Sequence, residues 1–197
     1  MANVDAAFGL RPVGGLDGSP YNGATIRCAI LAADATATFV GDPVKLGGTG
    51  YTDANGTVPD VVQATADAQI FGVITSFEAA TSTSTQYREA STLRFCNVVP
   101  ALDTLFAIQA SADIEIADIG QGADFINVLN VITAGSTVTG YSGAEIDSAL
   151  TGDNMLILGV YNAPDNTLLL DTGGANNNPV VIVRINESSL RGDGTAV

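Results

Sequence analysis

The apolar residues of this chain come in short runs, among them IRCAIL, IFGVITSF, RFCNVV, MLILGV and PVVIVRI. Stretches rich in glycine, asparagine, aspartate, serine and threonine separate them. Runs this short and this rich in β-branched residues suit strands rather than helices of ordinary length. In ATIRCAIL, Ile26, Cys28 and Ile30 alternate with small or polar residues, the two-residue period of a half-buried strand. Gly41-Asp42-Pro43 reads as a turn leading into a strand at Val44–Leu46, with Pro43 at an edge or just after a bend. Asn55-Gly56 is a hairpin signal. Gly72, inside IFGVITSF, points to a bulge or a close backbone contact.

Helical signals are few. IEIADIG can form one turn closed by Gly120 or Gly122, and FINVLNVI reads as a strand. Ser142 as N-cap, Glu145 at the third helical position and Gly152 beyond the end predict a short helix. About ten short strands against one or two short helices make the chain mainly β, an antiparallel β-barrel or β-sandwich. Residues 1–20 carry Pro12, Gly14, Gly15, Gly18 and Pro20 without a period and are expected to be an extended N-terminal arm. Residues 21–190 are the β-rich domain, divisible into two subdomains near 80–90, where AATSTSTQ reads as an exposed loop. Residues 191–197 are a polar tail.

Charge narrows the partners. Seven lysines and arginines face 21 aspartates and glutamates, a net charge of −14. Between Arg94 and Arg184 there is no cation but ten acidic residues, from Asp103 to Asp171. Nucleic-acid binding needs lysines and arginines that displace counterions, so no nucleic acid is expected as a direct ligand. The acidity either serves solubility or steers partners. No run is long and apolar enough to span a membrane, and the first residues lack the basic and apolar regions of a cleaved secretion signal. Cys28 and Cys96 are read as two buried free thiols, with one long-loop disulfide as the alternative.

The chemistry available is limited. The chain has no histidine, which removes Ser-His-Asp and Cys-His systems and the usual zinc sites. A carboxylate pair of the glycosidase kind is formally open, but aromatics are 6% and tryptophan is absent. TDANGT partly mimics a calcium loop without its remaining ligands, and a hairpin turn explains it better. Arg191–Asp193 spells an adhesion tripeptide in a polar tail, and GGLDG lacks the strand-then-helix setting of a phosphate loop. No catalytic residue, cofactor or metal ligand is nominated, and a structural or interaction protein is expected.

The opening ANVDAAFGLRPV, the SPYNG after it, and then FVGDPVKL, IFGVITSFE, ADIGQGADF and VTGYSGAEID are together similar to a family of tailed-bacteriophage proteins, the capsid decoration or cement proteins. The resemblance runs over most of the chain. It implies a non-enzymatic protein made in the host bacterial cytoplasm and carried on the outer capsid surface of the virion. Its partners would be the major capsid protein and itself, as a homotrimer or a dimer. Such a protein bridges neighbouring capsid subunits, and modest contacts add through effective concentration. On this reading the arm, able to span about 60–70 Å in twenty residues, orders on a neighbour. Phe8 and Leu10 would be apolar anchors, Arg11 would pair with a capsid carboxylate, and Pro12 would lie in the same contact. The alternative is an arm folded back on its own barrel. Two further readings are another virion part, a head fibre or tail component, and a glycan-binding β-sandwich using some of Tyr21, Tyr51, Tyr87, Tyr141 and Tyr161.

Overall fold

Adjacent valines in the middle of the chain face two different cores, and the architecture follows from that. In the computed structural model, Val98 packs with Cys28, Ile30, Val44, Val61, Phe71, Ile74 and Cys96. Val99 packs with Phe106, Ile108, Phe125, Met155 and Val183 in a second, larger cluster. Val73 and Ile74 divide in the same way. Successive side chains of a strand point to opposite faces, so a strand buried on both faces joins two cores.

The structure describes residues 3–65, 68–128, 131–132, 134–147, 150, 152–164, 166 and 178–191. The polar tail beyond Arg191 and most of the GGANNN segment therefore lie outside the described residues. Among the described residues there are twelve strands: β1 (Arg11–Gly15), β2 (Ile26–Ile30), β3 (Pro43–Asp53), β4 (Gly56–Gln63), β5 (Gly72–Phe77), β6 (Arg94–Pro100), β7 (Thr104–Gln109), β8 (Gly122–Ala123), β9 (Asn127–Val128), β10 (Val131–Ile132), β11 (Met155–Val160) and β12 (Val180–Ile185). Single 3-10 turns occupy Ile116–Asp118 and Ser189–Arg191. The chain is mainly β, as its short apolar runs require.

Strands β2-β4-β3-β5-β6 close into a small barrel, and β1-β7-β12-β11-β8 form a five-stranded sheet beside it. Among the described residues, the named strands pair antiparallel except for one parallel contact, Ala29 with Asp60, that closes the barrel. The β3–β4 hairpin turns at Ala54-Asn55, with Asp53 opposite Gly56. Residues 47–49 bulge opposite Asp60, whose carboxylate accepts a hydrogen bond from the Thr49 amide at 2.8 Å. Pro59, which has no amide hydrogen to donate, sits beside that bulge, where β4 tolerates it. The expected close contact at Gly72 is present: a Cβ there would lie 2.3 Å from the Val99 carbonyl oxygen.

Three expectations need correction. The division between sheets falls between β6 and β7, at residues 100–104, and not near 80–90. Residues 78–93 are a loop inside the barrel, and β5 and β6 pair across it. Arg88, fully buried, holds that loop by donating to the carbonyls of Leu31, Asp34, Thr36 and Thr92. Next, residues 142–147 are extended, not helical. Ile146 bridges both Ala110 and Phe125 and is fully buried, while the Ser142 hydroxyl accepts from Ala144, two residues on. Burying Ile146 between two segments outweighs a local capping pattern. Last, residues 3–15 follow the folded-back alternative and not the reaching arm: β1 pairs with β7 of the same chain.

Cys28 and Cys96 face each other across β2 and β6, both buried and both free. Burial pushes the Cys28 thiol up to about 11 and shifts Cys96 the same way. Both should therefore be silent to a thiol reagent in the native protein and react together once denaturant opens the barrel. Gly72→Ala should destabilise the fold by about 2–3 kcal/mol, the cost of overpacking a rigid site; denaturant titration measures it.

Candidate interaction site

The first strand runs between two depressions, and it gets there through glycines. The Leu10 amide donates to the Gly41 carbonyl at 2.9 Å. A Cβ at Gly9 (φ +71°) would lie 2.5 Å from the Ser142 Cβ, and one at Gly41 (φ +94°) would lie 2.5 Å from the Phe8 carbonyl oxygen. Both residues need the left-handed backbone and the missing side chain, so FGL and VGD meet glycine against glycine. Upstream, the Gln109 side chain accepts from the Ala6 amide at 2.9 Å and donates to the Val4 carbonyl at 2.7 Å. Leu10 is 2% exposed, inside the chain's own larger core. It holds the strand to its own body and presents nothing to a neighbour.

All four members of the expected contact line one cavity, Leu10 with a nearly buried side chain. Phe8, Arg11 and Pro12, with Tyr21, Thr75 and Tyr141, line a cavity of about 310 Å³. The Arg11 guanidinium lies 4.7 Å from the centroid of the Phe8 ring and is exposed. Tyr141 is an exposed aromatic in the same rim. No family model, curated protein or solved structure matches the chain.

On the other side of Tyr21 lies a cleft of about 740 Å³. The turn after β1 and the turn between β6 and β7 form its walls, and the Leu16 amide donates to the Asp103 carbonyl at 2.8 Å, clamping them together. Leu16, Leu102 and Leu190 line it with Asp17 and Asp103. Sequence reasoning missed this cleft. Its trace is a Leu-Asp pair repeated at two turns, Leu16-Asp17 and Leu102-Asp103, which means nothing until the turns are brought side by side.

Much of the positive charge is consumed internally. Arg27 grips Glu78 through Nε and Nη2 at 2.7 and 3.0 Å, bonds Asp53 at 3.0 Å and stacks over Phe95. Asp53 also accepts from the Asn55 amide at 2.8 Å, so one oxygen holds the hairpin turn and the other ties it to β2. Arg94 donates to the carbonyls of Glu78, Thr85 and Tyr87. Among the described residues, no group of three or more His, Cys, Asp or Glu side chains is arranged to hold a metal ion.

Asp42 sits beneath the strand's seat. It is fully buried and accepts from the Phe39 amide at 2.8 Å and the Gln63 side chain at 3.1 Å. Burial pushes its pKa up to about 6 despite these donors and the Ser142 hydroxyl. The folded protein thus holds this proton more tightly than the unfolded chain does. The stability so gained is fully present below about pH 4 and is lost as pH rises through about 6. Asp42→Asn, whose Oδ1 still accepts both bonds, should abolish this component. At pH 7.5 the variant should be more stable than the native protein by about 2–3 kcal/mol, with the difference vanishing by pH 4; denaturant titrations across pH measure both.

Proposed function

We propose that this protein decorates the outer surface of a tailed-phage capsid, where it bridges neighbouring major capsid subunits as a homotrimer or a dimer. The observation that carries the reading is the distribution of charge. Arg88 is fully buried, and Arg27 and Arg94 are committed to partners within the chain. The surface is left strongly anionic. Such a body is repelled by packaged nucleic acid and tolerated on the outside of a shell. The resemblance of the FGLRPV opening to decoration proteins supports the same assignment, and the Arg11 cavity supplies a contact. An exposed guanidinium beside Phe8 and Tyr141 suits a carboxylate on a capsid subunit.

One observation favours a second reading, a glycan-binding module. Tyr21 and Tyr141, distant in sequence, line the same cavity with Phe8. Titration with polysaccharide, followed by tyrosine fluorescence, tests it.

The test of the main reading is co-sedimentation of the purified chain with empty shells of the major capsid protein from the same phage. Deleting the first residues would remove β1 and confound the result, so point variants are preferred. Arg11→Glu should lower shell binding about tenfold and cost no more than the cation–π contact in stability, about 0.5–1 kcal/mol. Absence of any co-sedimentation, or particle images placing the protein within the shell, would overturn the assignment.

A further inference from the structure

The cleft beside β1 has a chemistry of its own. Leu16 and Leu190 are 45% and 39% exposed and face one depression together with Leu102, Pro20 and Tyr21. Single exposed leucines are ordinary on a protein surface, but several converging on one concave wall mark a contact. The rim carries Asp17 and Asp103, both exposed, and among the described residues no lysine or arginine lines the cleft. Arg191, next to Leu190 in sequence, directs its guanidinium to the Asn186 carbonyl at 3.3 Å.

The walls are preorganised. Asp17 Oδ1 accepts from the Ser19 amide at 3.0 Å and the Ser19 hydroxyl at 2.7 Å, which fixes the first turn. The bond from Leu16 to Asp103 fixes the two turns against each other. Little ordering is left to be done on binding. The Ser19 donors also hold the Asp17 carboxyl below its ordinary range, so it is ionised at neutral pH.

We propose that this cleft docks an extended protein segment in which a lysine or arginine stands beside aliphatic side chains. The aliphatic groups would cover Leu16, Leu102 and Leu190, and the cation would lie between Asp17 and Asp103. Charge complementarity selects this occupant. An acidic segment meets two carboxylates with no compensating cation, and a purely polar one leaves the leucines wet. The segment's chemistry defines this occupant, whichever protein carries it, capsid subunit or not.

The test uses the full chain and fluorophore-labelled, end-capped pentapeptides followed by anisotropy at low salt. The probe alternates valine and lysine; its comparators alternate serine and lysine, and valine and glutamate. The valine–lysine peptide should bind about tenfold more tightly than either comparator. Asp17→Asn with Asp103→Asn should weaken it about tenfold, and Leu16→Ser with Leu190→Ser should weaken it similarly. Asparagine at 17 keeps the oxygen that accepts from Ser19, so the turn is preserved. The control is Glu89→Gln with Asp153→Asn, two exposed carboxylates outside the cleft, which should change binding by less than about twofold. Equal weakening by the control pair, equal binding of the serine–lysine peptide, or no binding of the probe would each overturn the proposal.

Discussion

The β5–β6 pair is buried on both faces, and the rest of the molecule depends on it. Its residues alternate between the barrel interior and the larger core, with Val98 and Ile74 on one side and Val99 and Val73 on the other. A one-residue slip would exchange the two sets and spoil both cores at once. Gly72 reinforces the register, because its close approach to the Val99 carbonyl leaves no room for a side chain. Barrel and sheet are therefore coupled through shared strands and not through a linker.

The parts of this fold that were legible were those carried by side-chain period. The runs ending up as β2, β5, β6, β11 and β12 alternate or are continuously apolar, and Asn55-Gly56 sets its hairpin by local chemistry. What period cannot reveal is non-local pairing. RPVGG, with one proline and two glycines, has no period at all, yet it is a strand because β7 offers an open edge. The capping pattern at Ser142 and Glu145 was real chemistry with the wrong outcome, since Ile146 gains more from burial against Ala110 and Phe125 than from a helical turn. The polar stretch near 80–90 resembled a domain boundary because nothing in its composition announces that Arg88 will be buried in it.

The candidate site was legible in the same uneven way. Phe8, Leu10, Arg11 and Pro12 all line one cavity, and Leu10, almost fully buried, also holds the strand down. Tyr21, Tyr141 and the paired Leu-Asp turns contribute from distant parts of the sequence, where no spacing rule could connect them. Charge was legible as a total but not as a surface. Arg27, Arg88 and Arg94 are spent stitching loops to the barrel, so few cations are left free on the exterior.

The seat of the first strand has a temporal consequence. Arg11 pairs with Ala107, and Gly9 closes against Ser142. Residues 9–15 are synthesised before Ala107 and Ser142 and must wait, unpaired, until those residues follow. Once there, it is threaded into the seam between barrel and sheet. From then on β1 is committed to β7 of its own chain.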